Sequence, residues 1–505
     1  MTRNSLERRK VFLGRLASLP VIAFVVALAL LSAACNDINL AGEGKGSGTV
    51  SLAIDEVLAS EIRSAIPAPL RSTTGDNSTY TLTASIRGDY SKEKTESATE
   101  ASLSGVTFTF EGIPTGKNII LDVTVKVGDN TIWYGNSGKH MVDSGINKLN
   151  VEVGRVSGVL LWKPVQEGAQ THDVYIAPYG NYNSSLLTQF GIYTEEDTRR
   201  PYCFDSNGNL YGVVSATSPK IKKYNSQLDG TYVEDSELDD FVSNPSDVSY
   251  LAYDNEKLYG LGVRTPLYNL SDDVNITNNT NFPQPLGLAI HNDIAYVAEV
   301  IEGNESGGIY VTLHQYNLTS TAGDTSQKTE AIRLLDDFGT DVSALTGHMI
   351  YQDGALYLSI GRLEIVLNAF GEGIAGYSIG AVIKINAETL AIEESFGQNG
   401  YLGLFDSSEV IVINDKECFA PTAKNEGAYF YGPMGFVAVM PKKLVLADSG
   451  LAMSAADDGT ENVKLSKKSR IVTIDLETEA FESVPMDGYY EPTYPTEWTG
   501  CGFVN

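Results

Sequence analysis

Phe204-Asp205-Ser206-Asn207-Gly208-Asn209-Leu210-Tyr211 sets the reading of this chain: a strand ends, Asp, Asn and Gly turn the backbone, and a new strand opens apolar-Tyr. Asp, Asn and Gly are the residues that tolerate the positive φ angles of a tight hairpin, so the stretch predicts two antiparallel strands. The same unit recurs as Tyr253-Asp254-Asn255-Glu256-Lys257-Leu258-Tyr259, as Ile290-His291-Asn292-Asp293-Ile294-Ala295-Tyr296 and as Tyr351-Gln352-Asp353-Gly354-Ala355-Leu356-Tyr357. Val439-Met440-Pro441-Lys442-Lys443-Leu444-Val445 is a fifth copy, with Val in place of Tyr. Each hairpin leads to a third strand with a polar end, over 221–225, 267–269, 311–317, 381–386 and 469–475. A three- or four-stranded unit repeated at tens of residues predicts a β-propeller over residues 156–505.

The fifth copy carries a family resemblance. Gly432-Pro433-Met434-Gly435-Phe436-Val437-Ala438-Val439, followed by Leu444-Val445-Leu446-Ala447-Asp448-Ser449-Gly450, resembles an NHL repeat. Phe396-Gly397-Gln398-Asn399-Gly400 is similar to the Phe-Gly-x-x-Gly that precedes such repeats. The family continues directly with Asn-Arg-Ile; here residues 451–468 intervene before Ser469-Arg470-Ile471-Val472. The resemblance covers one repeat well and implies a propeller with a binding surface but no particular ligand. Closure is expected to join Gly502–Asn505, as a first strand, to the second strand at His172–Ala177. That gives six blades, or seven if Val410–Asn414 and Cys418-Phe419 form a degenerate one.

Composition limits the partners. The 505 residues carry 36 Lys and Arg against 64 Asp and Glu, a formal charge of -28. So large an acidic excess argues against nucleic acid, whose phosphates require a basic face. Five His and four Cys speak against a disulfide scaffold or a multi-ligand zinc protein.

The N-terminus reads as an export signal. Arg3, Arg8, Arg9, Lys10 and Arg15 form a basic start, and residues 16–34 hold no charge. Leu31-Ser32-Ala33-Ala34-Cys35 then places small residues before a cysteine. This resembles a bacterial lipoprotein signal, in the relaxed form of the spirochaetes because Ser32 stands where Leu is usual. The resemblance implies cleavage after residue 34, acylation of Cys35, and a lipid anchor in the cell membrane or outer membrane. A plain secretory signal or an uncleaved anchor of about 19 residues is the alternative. Arg8-Arg9 also resembles a twin-arginine signal, one residue out of spacing. Loss of residues 1–34 takes the charge to -32, so the acyl chains alone must hold the protein.

Residues 35–48 read as a glycine-rich tether, and Gly44-Lys45 lacks the Ser or Thr of a phosphate loop. Residues 49–155 alternate as strands, at Val50–Ile54, Tyr80–Ile86, Val106–Phe110, Ile119–Val127, Thr131–Tyr134 and Leu149–Val153, and predict a small β-sandwich. Phe110-Glu111-Gly112-Ile113-Pro114-Thr115-Gly116-Lys117, with the apolar strand after it, is similar to the prealbumin-like, Ig-like modules of exported bacterial proteins, and this domain reads as a spacer with no ligand.

No catalytic constellation, cofactor site or metal site is expected. Gly371-Glu372-Gly373-Ile374-Ala375-Gly376 has dinucleotide-loop spacing, but the strand 381–385 follows where a helix is required, so it reads as a glycine loop between strands. His140, His172, His291, His314 and His348 include no pair three or four apart. His291 falls at a turn and reads as solvated; His348 falls in a first strand near the expected axis. No Gly-x-Ser-x-Gly elbow occurs. Cys203 and Cys501 fall in expected first strands of neighbouring blades; a bridge is open to them in an oxidising compartment, but such strands usually stand too far apart, which favours two free buried thiols. Asp235–Asp240 lacks a spaced calcium loop, and Asn275-Ile276-Thr277 and Asn317-Leu318-Thr319 are glycosylation-type triplets.

Two functions from different classes remain. One is an envelope binding or scaffold lipoprotein whose propeller meets a protein or glycan. The other is a propeller enzyme, a lactonase-like hydrolase or lyase with an axial metal. The expected first strands carry mainly Tyr, Phe, Leu and Val, which favours binding over catalysis.

Overall fold

The computed structural model describes residues 46–54, parts of 56–62, 79–149, 151–164, 172–182, 187–190, 201–214, 220–227, 230–235, 248–277, 281–301, 309–319, 326–335, 345–367, 373–393, 410–413, 416–419, 430, 433–455, 463–486 and 488–489. These residues are nearly all β. Cys35, residues 16–34 and Gly502–Asn505 lie outside them, as do Cys501 and Phe396–Gly400. Among the described residues no helix is long and apolar enough to cross a membrane.

The N-terminal part is two sheets over one core. Ser47–Ala53 lies between Thr107–Pro114 and Gly145–Asn147. The other sheet runs Lys92–Thr99, Thr79–Gly88, Asn118–Val127, Asn130–Asn136, Glu152–Arg155. Alternate residues of Ser47–Ala53 and Thr79–Gly88 are buried, so Val50, Leu52, Tyr80, Leu82 and Ala84 meet Phe108 and Phe110 in one cluster. Lys92–Thr99 escapes the apolar pattern because it is an edge strand, exposed at seven of eight positions and charged, which discourages pairing with other chains.

Among the described residues six antiparallel sheets follow in chain order, with strands in simple succession. They open at Val159–Pro164, Tyr202–Phe204, Tyr250–Asp254, Pro285–His291, Leu345–Gln352 and Pro433–Met440. The first and fifth have three strands and the others four. Val410–Ile413 and Lys416–Phe419 form a separate hairpin between the fifth and sixth. The opening strands of neighbouring sheets lie side by side from the second sheet to the sixth, and Pro433–Met440 also lies beside Val159–Pro164. Trp162 meets Tyr202 at 5.9 Å between ring centroids, and Gly158 N–H donates to the Tyr232 hydroxyl, so the first sheet also contacts the second.

Hairpin chemistry follows the residues that predicted it. Asn255 and Glu256, Asn292 and Asp293, and Asp353 and Gly354 all have φ between 47° and 82°, the pairwise positive φ of tight hairpins. In the second sheet Asp205 builds the turn itself: its Oδ1 accepts the N–H groups of Asn207 and Asn209, and its Oδ2 accepts Asn209 Nδ2. Neighbouring opening strands approach closely where glycine allows it. A Cβ at Gly287 would lie 2.6 Å from that of Met349.

Three expectations are corrected. His172–Ala177 does not await a first strand from the C-terminus: it pairs with Val159–Pro164, Trp162 facing Val174. Val159, Leu160, Leu161 and Trp162 are all buried, so the run has no alternation to mark it as a strand. Burial of each such side chain contributes about 1.5–3 kcal/mol, enough to fix the hairpin locally. The glycines at 373–376 are not a loop but the start of Gly373–Asn386, paired with Ala355–Leu367. Residues 451–455 and 463–468 likewise prolong a hairpin, with Leu451 facing Lys467.

Candidate functional site

The opening strands of the second to sixth sheets enclose a cavity of about 200 Å³. Its wall includes Tyr202, Phe204, Tyr253, Ile290, Tyr351 and Phe436, so it is chiefly aromatic and aliphatic. The polar groups around it are largely committed to the fold. Tyr202 hydroxyl donates to Phe436 O at 3.1 Å. His348 is buried, and its Nδ1 accepts Phe436 N–H at 3.0 Å, which puts the proton of a neutral ring on Nε2. The rings of Tyr202 and His348 meet edge to face at 5.4 Å. Asp205 spends its carboxylate on its own turn.

The cavity wall also holds the half-buried thiol of Cys203. Burial, helped by the charge of Asp205, raises the Cys203 pKa well above its ordinary value and keeps it protonated. Cys203 is a free cysteine on the strand Tyr202–Phe204. Beside it Tyr211 and Tyr253 stack at 4.9 Å and 21°, and burial raises both phenols.

His291 flanks the turn, as its sequence position suggests, and is half-buried there. It closes the strand Pro285–His291 and stacks on Tyr351 at 3.8 Å and 12°. Burial lowers its pKa, while the charge of Asp254 pulls the other way. Asp254, itself raised chiefly by burial, accepts Asp293 N–H at 3.2 Å. These groups stand where opening strands end and hairpins begin, at the Tyr253, Ile290 and Tyr351 side of the cavity. The stacked pair carried no sequence signal, because it joins two sheets 60 residues apart.

The remaining sequence candidates scatter. His140 bonds Asn147 in the N-terminal sheets, and His314 faces Glu299 at 3.4 Å. Asp235 accepts Asn225 Nδ2 and pairs with Lys223, whereas 236–240 lie outside the described residues. Asn317 Oδ1 accepts the N–H and hydroxyl of Thr319, closing a turn. Among the described residues no three His, Cys, Asp or Glu side chains group as a metal site.

A buried ion pair in the sixth sheet was half legible. Arg470 Nε donates to Asp448 Oδ2 at 2.8 Å from the facing position on the next strand, and its guanidinium lies 5.3 Å from the Phe481 ring. Both belong to the repeat-like stretches quoted above.

Among curated proteins no sequence matches this chain. Residues 372–497, about a quarter of the chain, match the family model described as the TdpA C-terminal domain; they span the last strand of the fifth sheet, the separate hairpin and the sixth sheet.

Proposed function

We propose that this chain is a lipid-anchored envelope protein that binds, through its C-terminal sheets, a partner protein or glycan and performs no chemistry on it. In this reading Cys35 is acylated, residues 35–48 tether the fold, residues 49–155 are a spacer sandwich, and residues 156–505 form a six-bladed NHL-like β-propeller. Six successive meander sheets with neighbouring opening strands support the propeller. The cavity carries the binding reading: its aromatic wall offers flat apolar faces, and its ionisable groups are held in turns, protonated or bonded to backbone. Its volume of about 200 Å³ suits one residue-sized group, such as a sugar ring or a side chain from a partner.

Two experiments test the parts separately. Labelling with a palmitate analogue should mark the wild-type protein and not Cys35→Ala, which should leave the membrane fraction or persist as precursor; an unlabelled wild type refutes the anchor. For binding, pull-downs from detergent-solubilised envelopes should recover a partner that Tyr253→Ala and Tyr351→Ala lose. Stoichiometric axial metal, with turnover abolished by a chelator, would instead support the enzyme.

A further inference from the structure

We infer that a small inorganic anion, of the size of chloride, is held where the N-terminal sheets meet the second sheet, on Arg155 and Trp133. Arg155 ends the strand Glu152–Arg155 and is 5% exposed. Its Nη2 donates to Ser226 Oγ at 3.3 Å, a long bond to a neutral group. Its Nε and Nη1 are buried and meet no acceptor among the described residues.

The neighbours do not supply the missing acceptors. Asp205 is near enough to be felt, but its oxygens are taken by the turn at Asn207 and Asn209. Tyr232 hydroxyl donates to Gly208 O and accepts Gly158 N–H. Trp133 stands directly opposite Arg155 in the strand pair, which puts both side chains on one sheet face. Trp133 Nε1 is a further buried donor that meets no acceptor among the described residues.

Three N–H donors and a buried guanidinium, opposed only at a distance by Asp205, define what fits. The ligand accepts hydrogen bonds, carries negative charge, and is small, because Arg155 is buried and Gly208 packs against its stem. The Nε and Nη1 groups form the fork by which arginine takes anions. Water accepts hydrogen bonds but adds no opposing charge in a place where burial already lowers the guanidinium pKa. The anion holds the guanidinium that reaches Ser226 of the second sheet, so its loss loosens that contact.

Bromide is the probe. Crystals of the purified chain soaked in bromide should give an anomalous peak within hydrogen-bonding reach of Arg155 Nε. Melting in sodium chloride should exceed melting in sodium gluconate of equal ionic strength by a few degrees. Arg155→Met should abolish that difference and Trp133→Phe reduce it. No bromide peak, with water refined at the fork, overturns the site, as does equal melting in the two salts. The bromide measurement uses the wild-type chain and decides the matter even if Arg155→Met does not fold.

Discussion

Arg470→Ala should destabilise the sixth sheet by about 3–5 kcal/mol, the cost of leaving a buried carboxylate without its partner. Asp448 has no exposed side chain and Arg470 only 6%, so solvent cannot replace the lost guanidinium. The cation–π contact with Phe481 adds about 0.5–2 kcal/mol to the loss. Asp448→Ala should cost a similar amount, because it strands the guanidinium. The double variant should cost less than the two single variants together, with a coupling of up to about 3 kcal/mol, since no bare charge remains. Denaturant unfolding followed by tryptophan fluorescence measures this. Trp162 packs in one cluster with Val437, Ala438 and Ile471 and so reports on the sixth sheet, while Trp133 belongs to the N-terminal core. A single variant that loses less than about 1 kcal/mol, or strict additivity, would refute a desolvated pair.

Two further perturbations test the contacts around the cavity. Gly287→Ala should cost about 1–3 kcal/mol, because its Cβ would sit 2.6 Å from Met349 Cβ and 2.8 Å from Met349 N; calorimetric melting within a degree of wild type would show that the opening strands slide freely. His291 binds its proton less readily when folded, so its contribution to stability is complete above about pH 6.5 and is lost as pH falls from there toward its depressed folded value. Asp254 acts oppositely and lower: its raised carboxyl takes a proton first in the folded state, which favours folding as pH approaches about 3.8. His291→Phe keeps a ring on Tyr351 and should flatten the stability profile between pH 7.5 and 5.5; an unchanged slope there would remove His291 as its source.

The repeating hairpins were legible because their turns demand particular residues. Asn255, Asn292 and Asp353 adopt positive φ, so the turn chemistry stands in the sequence whatever packs on it. Strands marked only by alternation were less secure. Val159–Trp162 is buried on both faces and Lys92–Thr99 is polar on both, so neither has a period to read. The site followed the same division. His348 was placed by its strand, because register fixes which residues face inward. The His291–Tyr351 stack and the bare fork of Arg155 are made by residues from separate sheets, and no local pattern encodes them. The ends of the domain misled for a related reason: an apolar Gly-Phe-Val at 502–504 looks like a missing partner until Val159–Pro164 is seen in that place.

The long hairpin of the sixth sheet leaves the pairing at its base undisturbed. In an antiparallel pair a hairpin lengthens at its tip without changing any pairing below it. Here the pairs run without a shift from Lys443 and Asp475 out to Ala455 and Val463, and Asp448 faces Arg470 within them. The residues beyond Gly450 and Lys468 therefore leave the ion pair in place. Replacing 452–466 with Asn-Gly should join Leu451 to Lys467 through a two-residue turn that suits their facing positions. Shortening a loop changes closure entropy by only about 0.6 kcal/mol per halving, so the melting temperature should hold within about two degrees. The Arg470→Ala penalty should also persist in the shortened chain. If the truncation alone unfolds the sheet, the extension supports the ion pair rather than merely projecting beyond it.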